Sequence, residues 1–203
     1  MSVRIAILVE GATEIAFFPA LREFIRPRLQ LMPKLDAVPC DGRIPTNEKL
    51  QRLVSKLLSG QSAADAVIAL TDVYTGTREF VGPEDAKAKM RSWVGDESRF
   101  YPHVAAHDFE AWLVPYWSDI QRLAGSNRAP PSGDPENINH GNPPAHVLSE
   151  IFRTGSNKKK YVKPRDAGRI LRGKDISIAA RACPELRAFL NTILTVSGGD
   201  PLQ

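Results

Sequence analysis

Three acidic residues stand at or just beyond the ends of short apolar runs. Glu10 follows residues 5–9, Asp72 follows 66–70, and Asp108 follows 103–106; Glu14 and Glu110 lie close behind the first and third. In an open parallel sheet, sites form in the crevice beyond the carboxyl ends of the strands. If these runs are neighbouring strands, the five carboxylates converge on one rim. Crowded carboxylates repel and raise one another's pKa, and a bound divalent cation relieves that repulsion. Oxygen donors without His or Cys favour Mg²⁺ or Mn²⁺ over Zn²⁺. An ion held this way can orient and ionise a water and stabilise charge on a phosphoryl oxygen. The competing reading is structural, because acids after strands also cap the helix that follows. Glu14 could serve the site or stabilise a helix start through its dipole, and Gly11 would let the chain turn sharply after the first strand.

The cations are unevenly distributed. Residues 153–187 hold eleven Lys/Arg against Asp166, Asp175 and Glu185, a net of +8, so the rest of the chain carries −4 of the total of +4. Within this segment Lys158, Lys159, Lys160, Lys163, Arg165, Arg169 and Arg172 could bind a nucleic-acid backbone or stabilise a pentavalent phosphate. Tyr161 could stack on a base. The alternative is a solvated, charge-rich face. His103, His140 and His146 lack ligand spacing, while His107 adjoins Asp108.

The elements that would position these residues alternate in the βα manner. Strands are expected at 5–9, 35–40, 66–70 and 103–106, with Pro39 placing the second at an edge. Helices are expected at 13–26, 47–58, 83–94, 109–123 and 146–152, with a mostly helical 175–194. Pro19 implies a kink in the first, and Pro83 suits a first turn. Residues 125–144, with five prolines, read as a lid, an insertion or a disordered loop. With 203 residues, 42% of them hydrophobic and 25% charged, the chain reads as a single α/β domain. Its expected parts are a core at 1–124, a flexible loop at 125–145 and a basic helical region at 146–203. Cys40 and Cys183 form no CxxC, which favours a reduced setting. No apolar run reaches the length of a membrane span or a signal-peptide core, so a cytoplasmic protein is expected.

Several segments resemble a known group. Residues 5–14, ending Val9-Glu10-Gly11-Ala12-Thr13-Glu14, resemble the opening of Toprim domains, which occur in topoisomerases, primases and the overcoming-lysogenization-defect nucleases. Leu70-Thr71-Asp72 is similar to the start of the Toprim D-x-D element. His107-Asp108-Phe109-Glu110-Ala111-Trp112 is similar to a segment of a bacterial Toprim-like family, domain-of-unknown-function family 4276. Arg169-Ile170-Leu171 and Cys183-Pro184 resemble its C-terminal half. The resemblance implies a Toprim-like, Rossmannoid three-layer α/β sandwich with a mostly parallel sheet. It also implies metal-dependent phosphodiester chemistry, often beside an ABC-type ATPase in defence against phage. Carried onto this chain, it makes Glu10 the general acid/base or first metal ligand and Asp72 a ligand. Asp108 and Glu110 complete the rim, with Glu14 assisting. Two positions depart from the pattern. Tyr74 stands for the second acid of D-x-D, with Asp85 or Glu79 as possible substitutes. Asp166-Ala167-Gly168-Arg169 replaces a lysine-bearing segment, leaving Lys163 or Arg165 to reach in and Arg169 as the preferred cation.

The expected function is an Mg²⁺- or Mn²⁺-dependent nuclease acting on DNA or RNA, with an ATPase partner and no membrane. Catalysis would fall to Glu10, Asp72, Lys163 and Arg169. The alternative is a non-catalytic Toprim-like binding subunit of such an ATPase complex.

Overall fold

The computed structural model describes residues 2–73, 79–138 and 142–203. Tyr74 and His140 lie outside the described residues. The central sheet contains β1 (Arg4–Val9), β2 (Lys34–Pro39), β3 (Ala66–Val73) and β4 (Phe100–Ala106) in the order β2-β1-β3-β4. Every pairing is parallel. Because side chains alternate across a strand, each strand feeds two layers. Ile5, Ile7, Val9, Ile68 and Leu70 enter one core, while Ala6, Leu8, Val67, Ala69 and Val104 enter the other. Burial on both faces explains why β1 and β3 read as unbroken apolar runs. Each fully buried Ile or Leu contributes about 1.5–3 kcal/mol.

The smaller core lies under α2 (Asn47–Leu57) and α3 (Pro83–Val94). The larger lies under α1 (Ala12–Ile25) and the C-terminal helices: α4 (Trp117–Ala124), α5 (Pro144–Thr154), α6 (Lys163–Leu171), α7 (Ser177–Ala182) and α8 (Pro184–Val196). The three-layer α/β sandwich with a helical C-terminal region is therefore as expected, with the sheet parallel throughout.

Pro39 does end an edge strand. Pro19 lies within α1 without ending it. It sits on the exposed side, where the carbonyl that loses its amide partner faces away from the core.

Two differences from the sequence reading affect the site. β3 runs on through Val73, so Asp72 belongs to the strand itself. The helix expected at 109–123 is two pieces, a 3-10 helix at Phe109–Tyr116 followed by α4. Pro115 inside the first piece lacks the amide that a continuous α-helix would use. Residues 125–138 include a short 3-10 helix, Pro135–Asn137. They are tied down at Arg128, whose carbonyl accepts from Trp117 Nε1 at 2.8 Å, and at Glu136.

Candidate active site

Parallel pairing brings the ends of β1, β3 and β4 to one rim, with Val9 opposite Leu70 and Asp72 opposite Ala105. Glu10 leaves β1 and turns onto β3. Its Oε1 accepts the Thr71 hydroxyl and, at 3.2 Å, the Asp72 backbone N–H. The turn after β2 closes against the same residue, with Gly42 N–H donating to the Glu10 carbonyl at 2.6 Å.

The chain bends at Glu10 and Gly11 between β1 and α1 as expected, but Gly11 is extended there, with φ −170°, a conformation open to any residue. Its amide donates to Glu14 Oε2 at 2.9 Å, so Glu14 caps α1. Glu14 also senses the charges of Glu110 and Lys163, and so it serves the helix and the rim together.

Just past β4, His107 at φ 67° makes the turn that delivers Asp108 and Glu110. The left-handed region is uncommon for residues other than glycine, although His is enriched there. Asp108 N–H closes the turn onto the Ala106 carbonyl at 3.0 Å. Asp108 and Glu110 are 1% and 0% exposed. Asp108 Oδ2 accepts the Ala145 N–H at the start of α5 at 3.0 Å, while its Oδ1 is buried with no hydrogen-bond partner among the described residues. Both oxygens of Glu110 are engaged. The Tyr161 hydroxyl donates to Oε1 at 3.2 Å, and Lys163 Nζ lies 3.1 Å from Oε2.

Burial, the largest influence, pushes the Glu10, Glu14 and Asp72 carboxyls upward. At Asp72 the charges of Glu10, Glu14, Asp108 and Glu110 then add to it, so the group rises well above the usual range. Asp108 is pushed up to about 7 by burial and then by Glu110. Burial opposes the Lys163 ammonium, yet Glu110, Asp108 and Asp72 together hold it above its ordinary value.

The five predicted acids are thus brought into one electrostatic neighbourhood, and Lys163 joins them. Among the described residues, however, no three His, Cys, Asp or Glu side chains stand at metal-holding geometry. Glu10, Glu14 and Glu110 are each turned to the partners named above. The donors are all carboxylate oxygens, and the buried Asp108 Oδ1 lacks a hydrogen-bond partner among the described residues. That set suits a hard divalent cation once the side chains rotate onto it.

The remaining predicted cations divide. Arg165 grips Asp166 through Nε and Nη2, both at 2.8 Å, and Arg169 lies 3.5 Å from the same carboxylate. Asp166 in turn accepts the Val162 N–H at 2.8 Å, so both arginines serve the start of α6. Arg172 is exposed just past the end of α6. Lys158, Lys159 and Lys160 are exposed in the turn between α5 and α6. Gly155 anchors this turn, since a Cβ there would lie 2.1 Å from the Ala124 carbonyl oxygen.

Tyr161 is not available to stack on a base. It is 6% exposed and packs on Phe152 with ring centroids 5.2 Å apart. Asp85 binds Lys89 and the Val81 amide, and Glu79 pairs with Arg43.

Thr71 and Arg43 were missed by sequence reasoning. Arg43 lowers the Glu10 pKa and follows a positive-φ pair, Asp41 and Gly42. That Asp-Gly pair marks a turn but not what the turn approaches.

No helix among the described residues is long and apolar enough to cross a membrane. No curated protein matches the chain in sequence. Solved structures with a similar fold include the C-terminal region of the OLD protein of Burkholderia pseudomallei. It is 14% identical, with 92% of this chain and 98% of that one covered and a TM-score of 0.49. The corresponding region of the Xanthomonas campestris pv. campestris protein is 13% identical, with 95% and 98% covered and a TM-score of 0.43. The sequence itself matches the pattern described as Domain of unknown function (DUF4276) across residues 9–194, nearly its whole length, and the chain belongs to that family.

Proposed function

We propose that the protein is a divalent-metal-dependent nuclease that cleaves phosphodiester bonds in DNA or RNA. The observation that carries this reading is the burial of Asp72 among Glu10, Glu14, Asp108 and Glu110, with the Lys163 ammonium beside them. A fold that tolerates so many buried acids on one rim is storing repulsion that a cation relieves.

Glu10, Asp72 and Asp108 would hold Mg²⁺ or Mn²⁺, with Glu14 and Glu110 in support. Such an ion supplies Lewis acidity toward a phosphoryl oxygen and lowers the pKa of a bound water. Glu10, which accepts from Thr71 and the Asp72 amide, would take a proton at its carboxylate. Lys163 would meet the charge that builds on the phosphate, a role its position favours over Arg169. The exposed Lys158, Lys159 and Lys160, with Arg172, would grip the nucleic-acid backbone in a sequence-independent way. Following the motif resemblance, the protein would work in the cytoplasm with an ABC-type ATPase in defence against phage.

The deciding experiment incubates the chain with Mn²⁺ and plasmid, single-stranded DNA or tRNA, beside Glu10→Gln. Cleavage that Glu10→Gln abolishes without moving the thermal unfolding curve is the expected result. Full activity in that variant removes Glu10 from the mechanism.

A second reading, a non-catalytic binding subunit of the ATPase complex, is favoured by one observation. No three of the described acids stand ready to hold metal. Calorimetric titration with Mn²⁺ separates the two readings, because a degenerate site takes up no ion through its carboxylates.

A further inference from the structure

A cation stands at each end of the acid rim. On the β4 side it is Lys163, beside Glu110. On the β2 side it is Arg43, in the turn that follows the edge strand.

The backbone of that turn is held from several directions. Asp41 and Gly42 both have positive φ, the Arg43 N–H closes onto the Cys40 carbonyl at 3.2 Å, and Ile44 is buried in the smaller core. Gly42 N–H meets the Glu10 carbonyl at 2.6 Å, so the turn leans over the end of β1. What stays free to move is the Arg43 side chain, which is 61% exposed. Its ion-pair partner among the described residues is Glu79, whose own carbonyl accepts from Lys89 Nζ at 2.6 Å.

We propose that Arg43 is a phosphate-binding residue at the β2 end of the rim, and that Glu79 holds its guanidinium in reserve until a nucleic-acid strand displaces it. The proposal rests on the nucleic-acid substrate read above and adds a contact to that same site.

A row of carboxylates repels a polyanion, so a strand crossing the rim needs positive charge on both sides of the row. The order β2-β1-β3-β4 puts Arg43 and Lys163 on those two sides. The Arg43 charge already reaches Glu10 across the turn. An exposed ion pair contributes little in water, so Glu79 gives way readily. The guanidinium fork then fits two phosphate oxygens at once and keeps its charge at every working pH.

The test is filter binding of single-stranded DNA and of tRNA to the full chain in EDTA, where no divalent ion supports cleavage. Arg43→Ala should weaken both about tenfold and lower the salt slope by about one unit. Glu79→Gln, which releases the guanidinium, should tighten both about threefold. In the double variant that gain should vanish, because no guanidinium is left to release. Unchanged binding in Arg43→Ala, or a Glu79→Gln gain that survives in the double variant, overturns the proposal. So does an Arg43→Ala chain that binds normally and shifts only the pH profile of Mn²⁺-dependent cleavage, since Arg43 would then act through Glu10. Binding that follows the expected pattern in a wild type that cleaves nothing with Mn²⁺ upholds the contact and ends the nuclease reading. A wild type that binds neither probe overturns both.

Discussion

Two buried carboxylates in the same core are treated in opposite ways. Glu136 is held by the Trp112 indole N–H at 2.9 Å and by the Leu186 N–H at 3.2 Å on one oxygen. The Glu185 N–H reaches the other at 2.9 Å. It thereby caps α8 from a distant loop and ties residues 125–138 to the core. Asp108, at the rim, keeps one oxygen with no hydrogen-bond partner among the described residues, and it lies in the field of Glu110 and Asp72. Burial raises both groups, but only at Glu136 do hydrogen bonds satisfy both oxygens. A fully satisfied acid builds the fold. An under-satisfied acid among its own kind is held at the fold's expense, which is the usual physical signature of a site.

The sharpest way to break this contrast is at Glu10. Glu10→Gln should lower Mn²⁺-dependent cleavage by a thousandfold or more, about 4 kcal/mol in the barrier, and leave urea unfolding nearly unchanged. A variant that cleaves normally, or one that unfolds, would erase the distinction between site acid and fold acid. Glu136→Ala should do the reverse. It strips two buried donors and one part-buried donor of their acceptor and should cost about 3–5 kcal/mol in urea unfolding, with Mn²⁺ uptake by the folded protein preserved. Wild-type stability in that variant would mean that the anchoring of α8 counts for little.

A smaller effect is expected where the charge is solvated. Replacing Lys158, Lys159 and Lys160 by Ala should weaken nucleic-acid binding by roughly a hundredfold or more at low salt and flatten its salt slope by about three units. Mn²⁺ affinity should stay constant; an unaltered slope in filter-binding measurements would mark the turn as merely solvated.

The smallest effect concerns pH. Asp108 has a folded pKa raised to about 7, so the protonated form is favoured by folding. Its stabilising contribution is complete below the ordinary carboxylate range and is lost as pH rises from about 4 through 7. Without metal the chain should therefore melt at a lower temperature at pH 8 than at pH 5. Asp108→Asn, which mimics the protonated form, should recover about 1 kcal/mol at pH 8. Mn²⁺ affinity should weaken below pH 7, where protons compete for the same oxygen. Identical melting of wild type and Asp108→Asn at both pH values would contradict the raised pKa.

Much of this was legible in the residues. The apolar runs at 5–9, 66–70 and 103–106, and the acid after each, follow from alternation and burial along the chain. A strand buried on both faces must be apolar throughout, so its end is conspicuous where an acid appears. Pro39 announced the edge and Pro83 the first turn of α3 for equally local reasons. The break between Phe109–Tyr116 and α4 was less visible, because an aromatic-rich segment has the same composition in either helix type.

Partnership among charged groups was decided only in three dimensions. Nothing in the order of residues distinguishes Asp166, which gathers Arg165 and Arg169, from Glu110, which gathers Lys163 and Tyr161. Lys163 and Arg165 are two residues apart, yet one reaches the rim and the other does not. The α1–α6 contact, with Gly168 against Ala16, sets that choice by presenting one side of α6 to the acids. Local sequence determined which groups lie at the strand ends. Long-range packing determined which of them gather cations and which stay crowded together.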